Sequence, residues 1–209
     1  FNILKKRTCD IAAVTDKSVK VKFNGEPIGV RNFEDYISLY IGNKTVATRV
    51  FEKQGRWEYG ISNTTTGEFN QVSFVNGVNT TKGGKHVDYL MSQIVRKIIT
   101  YIEKKKKIKV TPASIKEQLM LFLNVAIENP AFDSQTKNYL NTPSSRFGSK
   151  CEVSDKFIEN IVKKLGVMDA AISLTQVKEN KKSFAETDGS QVKNLRGIPK
   201  LIDANFAGT

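Results

Sequence analysis

Apolar residues along the chain fall into blocks of different period. Between about His86 and Lys105, Val87, Leu90, Met91, Ile94, Val95, Ile98, Ile99 and Ile102 recur every three or four residues. Asp88, Ser92, Arg96, Lys97, Thr100 and Glu103 fall off that stripe. The spacing predicts one long amphipathic helix packed on a sheet. Phe157, Ile158, Ile161, Val162 and Leu165 repeat the pattern between Ser154, a capping residue, and Gly166, a natural stop. A further helix is expected from Met168 to about Lys181. Asn32 precedes Phe33, Tyr36, Ile37 and Tyr40, which predicts a short capped helix closed by Gly42-Asn43. Residues 3–14 read as the end of a helix, and Thr111-Pro112 as the start of another.

Other blocks have strand character. Val19 to Phe23 alternates apolar residues with lysine and runs into Asn24-Gly25, a turn signal. Three β-type runs, 45–52, 56–62 and 68–78, are separated by Gln54-Gly55 and by 63–67, so two or three antiparallel strands joined by hairpins are expected. Residues 119–127 are apolar except Asn124. Periodicity does not separate strand from buried helix there, and the flanking helices favour a central strand, ended by Glu128-Asn129-Pro130. Residues 131–150 read as irregular and 183–209 as a linker. The order of strands, long helix, strand and helices makes an α+β fold.

Composition narrows the function. With 209 residues, 39% of them hydrophobic, the chain can build one domain and part of a second. No run approaches roughly 18 apolar residues, so no membrane-spanning helix is expected. Two cysteines, Cys9 and Cys151, make no disulfide framework and fit a reducing compartment. A single histidine, His86, leaves no zinc ligand set, and no nucleophile elbow is present. The chain opens at Phe1 without a leader pattern and stops at Ala207-Gly208-Thr209, so it reads as an internal piece of a longer polypeptide.

The formal charge is +12, and the 29 residues from Asp88 to Lys116 hold half of it. Arg96, Lys97, Lys104, Lys105, Lys106, Lys107, Lys109 and Lys116 stand there against Asp88 and Glu103. Lysines at a helix C-terminus complement the helix dipole, so a solvated helix end is one reading. A contact with a nucleic-acid backbone, blind to base sequence, is the other. Thr80-Thr81-Lys82-Gly83-Gly84-Lys85-His86 could hold an anion at a helix N-terminus or make a tight turn, but it lacks P-loop spacing. His86 is read as a structural donor at the start of the helix. Asp133 to Lys137 is either a ligand-reaching loop beyond a strand or an ordinary surface loop.

Three segments are similar to one family. Ser73 to Tyr89 (SFVNGVNTTKGGKHVDY), Ile127 to Lys137 (IENPAFDSQTK) and Arg196 to Asn205 (RGIPKLIDAN) stand in the order found in type IIA DNA topoisomerases, closer to the eukaryotic and large-virus enzyme than to bacterial gyrase. The resemblance implies that residues 1–42 are the C-terminal end of a GHKL ATPase domain. It implies that 43–187 form a transducer domain of ribosomal-S5-like α+β fold and that 188–209 lead towards a TOPRIM domain. Gln135, Thr136 and Lys137 match the loop that touches the γ-phosphate of ATP, with Lys137 stabilising charge in hydrolysis. Lys104, Lys105 and Lys106 match a lysine loop that contacts DNA, in a shortened form. The implied setting is an ATP- and Mg2+-dependent homodimer acting on double-stranded DNA, nuclear or in a viral replication compartment. The general base, the metal ligands and the DNA-cleaving tyrosine would lie outside this chain. Two other classes share parts of the pattern. A stand-alone S5-like nucleic-acid-binding module has no reason to hold the Gln135-Thr136-Lys137 loop. GHKL ATPases of mismatch-repair or chaperone type lack the Glu128-Asn129-Pro130 run followed by Ile198-Pro199-Lys200-Leu201.

Overall fold

A computed structural model describes residues 1–43, 45, 47–175 and 177. One five-stranded sheet organises it. The strands are β3 (Arg49–Gln54), β4 (Trp57–Asn63), β5 (Asn70–Val75), β6 (Val78–Asn79) and β7 (Leu119–Val125), in the spatial order β3-β4-β7-β5-β6. A separate two-stranded ribbon pairs β1 (Lys22–Phe23) with β2 (Glu26–Pro27).

The expected central strand at 119–127 is present as β7 and lies between β4, antiparallel to it, and β5, parallel to it. That placement corrects one expectation. Residues 63–67 are not a hairpin, because β7 separates the two strands they join. The expected run 68–78 is also two strands, broken at Asn76-Gly77, where both residues adopt positive φ. The expected alternating strand at 19–23 pairs only at its last two residues.

Alternation along β7 sorts the core. Leu119, Leu121, Leu123 and Val125 point to one face of the sheet, and Met120 and Phe122 to the other. The first face is covered by α3 (Lys85–Lys106) and α5 (Asp155–Leu165). Leu90, Ile94, Ile98 and Ile102 of α3 are fully buried there, as their spacing requires. A short α4 (Pro112–Lys116), capped by the Thr111 side chain, links α3 to β7. Helical residues 167–175 follow α5, and the rest of the expected helix to Lys181 lies mostly outside the described residues, as does the linker.

The second face is covered by α1 (Asn2–Val14) and α2 (Phe33–Ile41). Asn32 caps α2 by accepting the Asp35 N–H at 2.8 Å. Phe33, Tyr36 and Ile37 close on Phe74 and Phe122, so residues 1–42 share a core with the sheet. Tyr36 donates to the buried Asp10 carboxylate at 2.6 Å, and Lys6 reaches the same carboxylate at 2.9 Å. Burial and that carboxylate push the Tyr36 hydroxyl well above its ordinary range. No described helix is long and apolar enough to cross a membrane.

Candidate functional site

The two internal segments, 73–89 and 127–137, form one unit. At one end Asn76 works as a clamp. Its side-chain amide donates to the Ile127 carbonyl at 2.8 Å, and its side-chain oxygen accepts the Ile127 N–H at 2.8 Å. At the other end the Thr80–Lys85 turn receives the strand-like stretch 138–140. Lys82 N–H donates to the Asn138 carbonyl, Lys85 N–H to the Leu140 carbonyl, and Leu140 N–H to the Gly83 carbonyl, at 2.9–3.1 Å. Thr81 adds a side-chain bond to Asn138.

Glycine at 84 follows from this pairing. Its φ is +142°, and a Cβ there would stand 2.5 Å from the Leu140 nitrogen and 2.6 Å from its carbonyl oxygen. The tight-turn reading of the two glycines is the one the structure supports. The backbone N–H groups of Lys82, Gly83, Lys85, Val87 and Asp88 all donate within the protein, which leaves little for an anion.

His86, in the first turn of α3, bonds to the turn before it. Its ring is fully buried, with Nε2 3.2 Å from the Thr80 hydroxyl, which also bonds to Ser73. Nδ1 has no partner among the described residues, and burial lowers the pKa to about 3, so the ring is neutral. The ring is thus a buried, neutral structural group in the first turn of α3, paired with the Thr80 hydroxyl. Cys151 is buried too, with its thiol pushed up to about 11 by burial, and is not poised as a nucleophile.

On this base stands an exposed tip, residues 134–137. Phe132 and Leu140 pair across its stem, and Asp133 N–H donates to the Tyr139 carbonyl at 3.1 Å. Lys137 N–H donates to the Ser134 carbonyl at 3.0 Å, closing a turn that puts Lys137 at φ +57°. The Thr136 hydroxyl is engaged by Ser134 and Asn138, both at 2.8 Å. The Gln135 amide makes no hydrogen bond within the described residues. Among the described residues the Lys137 ammonium faces only the Phe132 ring, 5.9 Å from its centroid. Two side chains able to donate to an anion are thus presented outward by a tip whose other polar groups are tied down. Sequence reasoning missed Asn76 and Asn138, the residues that join the segments, because their partners are distant in the chain and no local spacing marks them.

Lys104, Lys105 and Lys106 form the last turn of α3, and Lys107 ends it in the left-handed region at φ +55°. All are exposed. Lys105 lies 5.0 Å over the Tyr101 ring, and the hydrogen bond its ammonium donates to the Tyr101 hydroxyl, with a smaller effect of Glu159, raises its pKa. Lys97 holds Asp155 at 2.7 Å and also donates to the Val153 carbonyl. Lys97, with a weaker contribution from Lys104, keeps the Asp155 carboxyl below its ordinary range. The lysines and the loop 134–137 are not brought together: they mark opposite ends of α3. Among the described residues no group of three or more His, Cys, Asp or Glu side chains could hold a metal ion.

The family model for DNA gyrase B matches residues 32–189. The chain belongs to the type IIA DNA topoisomerase family. It is 41% identical to a probable DNA topoisomerase 2 of Dictyostelium discoideum, over 99% of this chain but 14% of that protein. It also matches the solved ATPase and transducer domains of DNA topoisomerase II from Balamuthia mandrillaris, with 36% identity, a TM-score of 0.77, and coverage of 85% of this chain and 44% of that one. The 43K ATPase domain of Thermus thermophilus gyrase B shares the fold at 17% identity and a TM-score of 0.63, covering 89% of this chain and 56% of that one. The expected closeness to the eukaryotic enzymes agrees with these identities, and the α+β, GHKL-associated fold with the structural matches.

Proposed function

We propose that this chain is the nucleotide-sensing transducer segment of an ATP-dependent type IIA topoisomerase that passes one duplex through a transient double-strand break in another. The observation that supports this most is the tip 134–137, with free donors at Gln135 and Lys137 on a stem hydrogen-bonded to the start of α3. In this reading residues 1–42 close a GHKL ATPase domain, 43–187 are the transducer and 188–209 lead to a TOPRIM domain. Gln135 donates its amide N–H to one γ-phosphate oxygen. Lys137 places a compact charge beside the γ-phosphoryl oxygens, over which charge is spread in the transition state. Thr136 belongs to the same nucleotide-binding loop and holds its turn through Ser134 and Asn138. Mg2+, held by residues beyond this chain, neutralises phosphate charge. Lys104, Lys105 and Lys106 contact DNA phosphates without reading bases. The working state is a homodimer, in the nucleus or a viral replication compartment.

Lys137→Ala in the intact enzyme tests the assignment. Hydrolysis should slow by about 10²-fold, the scale for loss of one preorganised electrostatic contact, while nucleotide affinity changes far less. Gln135→Ala should show a smaller form of the same pattern. Wild-type hydrolysis in Lys137→Ala, measured at saturating ATP, rejects the role. A γ-phosphate sensor also distinguishes nucleotides: a non-hydrolysable ATP analogue should drive dimerisation and ADP should do so poorly, because only differential affinity shifts an equilibrium. Equal dimerisation by both in sedimentation would count against it.

A further inference from the structure

A single line of side-chain hydrogen bonds runs from the turn before α3 into the tip. The Thr81 hydroxyl donates to the Asn138 side-chain oxygen at 3.1 Å, and the Asn138 amide donates to the Thr136 hydroxyl at 2.8 Å. The Thr136 hydroxyl then has its own proton to give to Ser134, 2.8 Å away, and Ser134 donates to the Asp133 carboxylate at 3.1 Å. Every bond points the same way and the last acceptor is a carboxylate, an arrangement in which successive bonds polarise one another. Gln135 and Lys137 lie between members of the line and contribute no side chain to it. The stem does not depend on these bonds. The Asn138 carbonyl already accepts the Lys82 N–H at 2.9 Å, and the Asp133 N–H already donates to the Tyr139 carbonyl. Thr81 is anchored from the other side, its carbonyl accepting the Gln71 amide of β5 at 3.0 Å. What the side chains add is a link from that anchored turn to Thr136, the residue between the two outward donors.

We infer that Thr81 and Asn138 are positioning residues for Gln135 and Lys137. The inference rests on reading 134–137 as the γ-phosphate loop and adds what fixes its aim. Lys137 sits at φ +57°, a conformation that a lysine keeps only where its surroundings impose it. The side chains of Gln135 and Lys137 move with the turn that carries them. A displacement of about 1 Å at such a group can cost on the order of 10²-fold in rate. Thr81 lies outside the tip and acts through Asn138. Loss of its hydroxyl opens the line at one end and leaves Thr136 free to shift together with both donors.

The test compares Thr81→Val with Thr81→Ser in the intact enzyme. Valine keeps the size of threonine and removes the donor, whereas serine keeps the donor. In Thr81→Val, kcat for ATP hydrolysis should fall by about 3- to 10-fold. The concentration of a non-hydrolysable ATP analogue needed for dimerisation, read by sedimentation, should rise several-fold. ADP affinity should not change, because ADP offers the tip no γ-phosphate. Thr81→Ser should match the wild type in all three, and Asn138→Ala should reproduce the valine pattern. In a Lys137→Ala background Thr81→Val should bring a much smaller further loss, because the main group it aims is gone. Wild-type kcat and dimerisation in Thr81→Val overturn the inference. So does a loss that serine fails to restore, that extends equally to ADP, or that is undiminished in the Lys137→Ala background. The underlying reading fails separately, by wild-type hydrolysis in Lys137→Ala alone.

Discussion

The tip 134–137 stands at the N-terminal end of α3 and the lysine run at its C-terminal end, about 33 Å apart for 22 residues at about 1.5 Å each. The tip is held from many directions. Its stem pairs with the Gly83-Gly84 turn, Asn76 clamps the chain before it, and Thr136 is bonded on both sides. Among the described residues the lysine run is held only by the helix that ends in it and by an exposed contact of Lys105 with Tyr101. A contact with one small anion needs atoms fixed to a fraction of an ångström. A contact with a repeating polyanion needs only charge at roughly the right place. The difference predicts that changes near the tip cost stability and position, and that changes in the run cost neither.

Gly84→Ala should break the comparison most severely. The new Cβ would meet the Leu140 backbone, which has no flexible end to move aside, and the φ of +142° is unsuited to alanine. A loss of about 3 kcal/mol or more is expected in denaturant unfolding, and any folded remainder should hydrolyse ATP poorly because the stem has shifted.

Acid should come next, through His86. Its folded-state pKa is about 3 against an ordinary 6.5, so the unfolded chain takes up the proton first as pH falls. Stability is full above about pH 6.5 and should decline by up to roughly 1.4 kcal/mol per pH unit below it, levelling near pH 3. His86→Gln should flatten that part of the urea-midpoint profile. An unchanged profile would show that the ring is not the group being protonated.

Asn76→Ala removes both bonds to Ile127 and leaves the partner groups short of a donor and an acceptor. A cost of about 1–3 kcal/mol is expected, read by thermal unfolding. The smallest effect belongs to the run itself: alanine at Lys104, Lys105 and Lys106 should move stability by less than about 0.5 kcal/mol. It should also reduce the salt slope of duplex binding by about one unit per lost contact.

The same difference decides what could be read from the chain. The stripe from Val87 to Ile102 and the block from Phe157 to Leu165 announce their helices, because a helix repeats within a few residues and its buried face is local. The lysine run is visible as bare composition. The choice of strand at 119–127 is right, but its insertion between β4 and β5 is a pairing of distant segments that no local pattern specifies. The tip is harder still. Gln135, Thr136 and Lys137 look like any polar loop until the family resemblance marks them, and the reason for Gly84 becomes visible only when Leu140 lies against it.

One more consequence concerns the order of synthesis. The last strand of the sheet to leave a ribosome, β7, is the one in the middle. Before residue 125 emerges, β3 and β4 can pair with each other, and β5 with β6, but neither pair has its inner neighbour. Each exposes an edge of unpaired backbone and half of an apolar face while α3 is being made. Closure is then a single late event across a long chain separation, which favours slow folding. A nascent chain halted before Leu119 should remain open and sticky, and a helper that shields strand edges would find its substrate there.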